Sequence, residues 1–128
     1  MDFYGYKTDE NGIPLKEECQ KNLFAFYYPS FEVLNGFDAL WYNYEGLQDK
    51  MLRYIEHTML RFKDNPYIIG LDALNEPVPG QVYLYNLLRL VAGFSDAADM
   101  EPFYARLHKL LRNIGGPPMF FSAALFPD

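Results

Sequence analysis

Gly70-Leu71-Asp72-Ala73-Leu74-Asn75-Glu76-Pro77 is the stretch on which the reading of this chain turns. Its first five residues, with Tyr67, Ile68 and Ile69 before them, make 67–74 a short apolar run that mostly does not alternate, the pattern of a parallel strand buried on both faces. A carboxylate directly after such a strand is unusual, because charged side chains are seldom placed in cores without a role. Pro77 stops the strand and denies it further ladder bonding, which leaves Glu76 at the rim rather than in mid-sheet. In a parallel α/β barrel the C-terminal ends of the strands form the active face, and Asn75 and Glu76 would sit there. The plain alternative is that Glu76 is an exposed loop carboxylate.

The segments around this strand read as α/β. Leu47, Met51, Ile55, Thr58, Met59 and Phe62 recur at three- and four-residue steps, which predicts a helix over 46–63. Asp64-Asn65-Pro66 ends it, since the residue before a proline avoids the helical region. Phe31, Leu34, Phe37, Asp38 and Trp41 share one side of a shorter helix over 31–43. A further helix is expected within 16–28, where Glu17 and Glu18 suit the N-terminal dipole, after a turn-rich opening with Asn11-Gly12. Beyond Pro77, Pro79 and Gly80 comes a loop, then an apolar, helix-compatible stretch over 81–92. Phe103, Leu107, Leu110 and Leu111 predict a helix over 100–113, stopped by Gly115-Gly116-Pro117-Pro118. Met119 to Leu125 reads as a second buried strand. Strand, helix and strand, with a helix before the first strand, is parallel βαβ grammar.

Composition narrows the function. Half of the residues are hydrophobic and 18% are aromatic, enough apolar material for a packed core. The net charge is -6 with Lys and Arg scattered, which argues against a nucleic-acid partner. No apolar run is long enough for a membrane span. Residues 1–7 carry no apolar signal region, so the chain is either not secreted or lacks its natural N-terminus, and the compartment stays unknown. Cys19 has no partner cysteine and no base beside it, and reads as a packing residue. His57 and His108 lie on helices, and no His, Cys and Asp cluster has ligand spacing, so neither a metal nor a cofactor is expected.

Glu76 in this setting suits glycoside hydrolysis. That reaction needs two carboxyl groups flanking the scissile bond, one of which gives a proton to the leaving oxygen and later takes one from water. Such an acid needs a raised pKa, which a half-buried strand end with apolar neighbours favours. Asn75 would hydrogen-bond the sugar 2-hydroxyl.

The order of short segments carries a resemblance. Cys19 through Tyr28, Phe37-Asp38-Ala39-Leu40-Trp41, Gly46-Leu47-Gln48-Asp49, Phe62 to Pro66 and Ile69 to Pro77 follow one another as in glycoside hydrolase family 5. Within that family they resemble the endoglycoceramidase-like subgroup, and Ala98-Asp99, Pro102-Phe103-Tyr104 and Phe120-Phe121 also fit. The resemblance implies a fragment of a (β/α)8 TIM barrel, roughly from the third helix to the fifth strand. Residues 1–128 would then be one partial catalytic domain, with 67–75 and 119–124 as the fourth and fifth strands. It implies hydrolysis, with retention, of a glycosylceramide or a related β-glucoside, with Glu76 as general acid/base and Asn75 as the 2-hydroxyl contact. Tyr28 and Trp41 would stand near the third βα loop, as a substrate wall or as ordinary packing.

Three departures limit the match. The family commonly has Trp where Val78 stands, which would take a ring from the cleft rim. Its fifth strand usually ends Phe-Phe-Glu-Pro, where this chain has Phe121-Ser122-Ala123. The family nucleophile is a glutamate of the seventh strand, for which this chain has no counterpart. Glu32, Glu45 and Glu101 follow no buried strand and read as surface charges. The alternative is a non-catalytic barrel relative that binds carbohydrate or lipid or packs on a partner. Two parallel strands alone leave open edges, so an incomplete barrel should expose apolar surface.

Overall fold

The computed structural model describes residues 9–11, 13, 15–21, 30–80, 93–94 and 96–122. In the opening turn, the Asp9 carboxylate accepts hydrogen bonds from the Asn11 and Ile13 amides, 2.8 and 2.9 Å long. Lys16–Cys19 makes a single helical turn, α1. The rest of the helix expected within 16–28 lies almost wholly outside the described residues, as does the stretch 81–92.

Helix α2 spans Phe31–Trp41 and starts on Ser30, whose hydroxyl accepts from the Val33 amide. It ends two residues earlier than the spacing predicts, because Asn43 takes a left-handed conformation with φ 53°. A 3-10 turn, Tyr44–Gly46, then leads into α3, Leu47–Phe62. Gly46 offers no side chain to cap α3, so Asn43 caps it from further back. Its side-chain oxygen Oδ1 accepts from the Asp49 backbone amide at 3.1 Å, while its side-chain Nδ2 donates to the Asp49 carboxylate at 2.9 Å. This reciprocal pair satisfies an orphan donor of the first turn as a capping box does.

Strand β1 is Leu71–Asp72 and strand β2 is Met119–Phe120. They pair in parallel, Leu71 opposite Met119 and Asp72 opposite Phe120. Between them, after a π-helical turn at Asp96–Met100, runs α4, Glu101–Asn113. Left-handed Gly115 closes α4: the Gly116 amide donates to Leu111 and the Gly115 amide to Arg112, the six-to-one and five-to-two bonds of a Schellman cap.

Both strands are shorter than the apolar runs that suggested them. Tyr67, Ile68 and Ile69 are exposed, and the first ladder bond is the Leu71 amide donating to Pro118. A strand exists only where a neighbour supplies partners, and the one neighbour described here is two residues long. Several apolar side chains around the strands are exposed. Tyr67 is 89% exposed, Ile69 78% and Phe121 66%. Among the described residues, no helix is long and apolar enough to cross a membrane.

The core lies between the helices and one face of the sheet. Leu52, Ile55 and Met59 of α3 meet Phe103, Tyr104, Leu107 and Leu111 of α4, and Leu71, Ala73 and Met119 pack on this cluster. The four α4 residues fall one, four and eight positions after the first, a single apolar stripe. Leu107 is fully buried. Leu107→Ala should lower the unfolding free energy by about 2–5 kcal/mol in urea denaturation, whereas exposed Lys109→Ala should change it by less than about 0.5 kcal/mol.

Candidate functional site

Past Asp72 the chain leaves the ladder and turns sharply. Glu76 has φ 45°, left-handed for a residue with a long side chain. Such a conformation costs on the order of 1–3 kcal/mol and persists only where the surroundings determine it. Asn75 and Glu76 are both exposed, so Glu76 is not the half-buried carboxyl that the strand pattern suggests. The turn lifts it away from the core while the residues after it dive in. Among the described residues, no donor holds its carboxylate, which leaves both oxygens available to an incoming group.

Pro77, Val78, Pro79 and Gly80 are all buried. Val78 is fully buried against Leu34 and Phe37 of α2. Position 78 therefore faces the helix layer, and a valine there fills a pocket rather than stripping a ring from an open rim. The indole N–H of Trp41 donates to the Val78 carbonyl at 2.9 Å, inside the core. Gly80 has φ 107°, and a Cβ there would lie 2.0 Å from a carboxylate oxygen of Asp38. A larger residue would make the Asp38 side chain turn away, and the positive φ strains any side chain placed here.

Trp41 is 6% exposed, with its ring 5.8 Å from that of Phe37 and 5.6 Å from that of Phe103. Of the two roles its sequence position allowed, the structure gives it packing. Tyr28, the other wall residue, lies outside the described residues. Glu32 sits in the first turn of α2, Glu45 in the 3-10 turn and Glu101 at the start of α4. None of the three follows a strand. Among the described residues, no group of His, Cys, Asp and Glu is arranged to hold a metal ion.

Sequence reasoning missed a second polar pair. The Ser122 hydroxyl donates to the Asp72 carboxylate at 2.8 Å, linking the two chain segments at the C-terminal end of the sheet. On the same strand face, the Phe120 ring lies against Gly70, where a Cβ would come within 2.1 Å of it. The parallel register places these partners, and no spacing in the sequence reveals it. Tyr104, on α4, is buried, and its hydroxyl has no hydrogen-bond partner among the described residues. Burial, and secondarily the charge of Asp72, raises the pKa of this phenol above its ordinary 10.0.

The sequence is similar to two proteins of known name. The chain is 32% identical to an endoglycoceramidase from Hydra vulgaris over 105 residues, 82% of this chain and 20% of that protein. It is 29% identical to an endoglycoceramidase from Cyanea nozakii over 105 residues, 82% of this chain and 21% of that protein. A match of that length must take in Asn75, Glu76 and Pro77. These similarities establish a glycoside hydrolase-like relationship, in which the chain spans about a fifth of the length of the curated relatives it matches. No family model and no solved structure matches the chain.

The orphaned phenol gives a test of the helix–sheet contact beside this site. Removing an unpartnered buried hydroxyl relieves a desolvation cost, so Tyr104→Phe should leave stability at pH 7 unchanged or raise it by up to about 1 kcal/mol. A phenol whose pKa is raised by burial keeps the fold at its full stability while it stays protonated and costs stability once ionised. That full stability holds below about pH 10 and is lost as pH rises through the folded value. Thermal unfolding followed from pH 8 upward should therefore fall less steeply in Tyr104→Phe than in the unmodified chain above about pH 10.

Proposed function

We propose that this chain is a segment of a retaining glycoside hydrolase of the family 5, endoglycoceramidase-like kind, and that Glu76 is its general acid/base. One observation carries the reading: an exposed carboxylate on a left-handed turn, just past the C-terminal end of a parallel strand, within a segment shared with two endoglycoceramidases. The fold proposed for the whole protein is a (β/α)8 barrel, with β1 and β2 as neighbouring strands. Two adjacent parallel strands joined across a helix, with one face packed on helices and open edges, are what such a barrel would contribute over this length.

In this reading Glu76 donates its proton to the glycosidic oxygen as the bond to the aglycone breaks. The carboxylate so formed then takes a proton from the water that releases the sugar. Asn75, beside it on the same exposed turn, hydrogen-bonds the 2-hydroxyl, a contact that tightens as the sugar ring flattens. The nucleophile is a second carboxylate from outside these residues, about 5–5.5 Å from Glu76 in a retaining site. The substrate is a glycosylceramide or a related β-glucoside, following the names of the relatives. Ser122, where the family has a strand-end glutamate, favours the rival reading of a sugar- or lipid-binding relative without turnover.

Kinetics of the full-length protein decide between them. Glu76→Gln should lower kcat on a glycoside with a poor leaving group by about 10²–10⁴-fold. The loss should be much smaller in the glycosylation step of a substrate whose leaving group needs no protonation. An equal loss on both substrates would sink the acid role, and an absence of turnover in the unmodified protein would favour the binding module. The 128-residue chain alone should turn over neither substrate, because one carboxylate cannot complete a double displacement.

A further inference from the structure

We infer that Trp41 is the positioning residue of the Glu76 turn: its buried indole N–H, bonded to the Val78 carbonyl, holds the backbone two residues upstream in its left-handed conformation. The inference concerns the same turn as the acid/base reading, and rests on that reading for its catalytic consequence.

Glu76 is disfavoured twice over in this conformation. A side chain with a Cβ resists φ 45°, and a residue that precedes proline is pushed towards extended φ near −120°. The turn must therefore be held from both sides. Upstream, β1 is tied to β2 through the Leu71 amide and the Pro118 carbonyl at 2.9 Å. Downstream, three contacts with α2 fix the chain within four residues of Glu76. Val78 fills the pocket of Leu34 and Phe37, its carbonyl accepts from Trp41, and Gly80 lies against Asp38.

Among these contacts the Trp41 bond sets direction. An apolar pocket tolerates small rotations, whereas a buried carbonyl that loses its donor is left with its desolvation cost, so the bond fixes the orientation of the peptide plane. Trp41 is itself immobile. Its ring is wedged between Phe37 and Phe103, and its own carbonyl accepts from the buried amide of Gln48 at 3.2 Å. The helix core is thus linked to the direction of a carboxylate that it never touches.

Trp41→Phe keeps an apolar ring and deletes the donor. Two measurements on the 128-residue chain read its effect: the carboxyl carbon resonance of Glu76, and a thermal double-mutant cycle with Glu76→Gly. Glycine accepts a left-handed turn without strain, so Glu76→Gly should raise the Tm of the unmodified chain by a few degrees. In the Trp41→Phe background that gain should shrink to less than half, because the released turn no longer forces the strain. The Glu76 resonance should move. Additive Tm changes with an unmoved Glu76 resonance overturn the proposal. Should Trp41→Phe fail to fold, benzothienylalanine supplied in place of tryptophan replaces Trp41 alone, keeps the bicyclic ring and removes the N–H, and an unmoved Glu76 resonance there is equally decisive. Neither readout needs substrate. Their failure would leave the kinetic result for Glu76→Gln standing, and a failed acid/base role would leave the coupling of Trp41 and Glu76 standing.

Discussion

Four parts of the chain meet on Trp41. Its ring packs on Phe37 within α2 and edge-on to Phe103 of α4. Its carbonyl, with that of Leu40, accepts from Gln48 of α3, and its indole N–H reaches the loop after Glu76. Tryptophan suits this place because it offers a large apolar surface with one donor at its edge, and a buried donor must find an acceptor. Gln48 is bound by the same logic. Its amide satisfies the last carbonyls of α2, and its oxygen accepts from Arg106, which also pairs with Asp49. Neither the end of α2 nor the start of α3 can move without stranding a buried polar group. That constraint, more than apolar area, fixes how the three helices meet. Arg106 and the Asn43 amide hold the Asp49 carboxyl below its usual range, the asparagine contributing most.

What was legible in the sequence was what repeats locally. Helices α3 and α4 announced themselves through Leu47, Met51, Ile55, Thr58, Met59 and Phe62 and through Phe103, Leu107, Leu110 and Leu111, because a three- and four-residue step is a property of one segment, although Leu47 and Phe62 prove exposed and Leu52 takes a core place instead. The parallel pair was readable as two apolar runs separated by a helix. Its extent was not, since Tyr67, Ile68 and Ile69 look like strand yet have no neighbour to bond. The end of α2 was missed for a related reason: Asn43 turns left-handed to reach Asp49, a bond six residues long that no periodicity records. Glu76 was singled out because a charge after an apolar run stands out. Its conformation was hidden, because nothing in Asn-Glu-Pro calls for a positive φ. Trp41 was legible as sharing one side of its helix with Leu34 and Phe37, but its partner lies 37 residues away, and only the fold brings Val78 to it.

The two faces of the sheet differ, and the difference bears on where the chemistry sits. Leu71 and Met119 face the helix core, and Phe121 continues that face to the ring of Tyr104 at 4.9 Å. Asp72 and Phe120 face the other way, with Ser122 bound to Asp72 and Phe120 laid over Gly70. In the proposed barrel this second face would be the interior, where a carboxylate and a hydroxyl already satisfy each other. Alternation along β1 would assign Glu76 to that face by simple parity with Asp72. Parity, however, holds only while the backbone stays extended, and at Glu76 it does not. The direction of the carboxylate is therefore not inherited from the sheet. It is set by the brace that follows, in which Pro77 and Val78 are pressed into α2 and the Val78 carbonyl is taken by Trp41. A strand end supplies the location of such an acid, while the helix packed beside it supplies the aim.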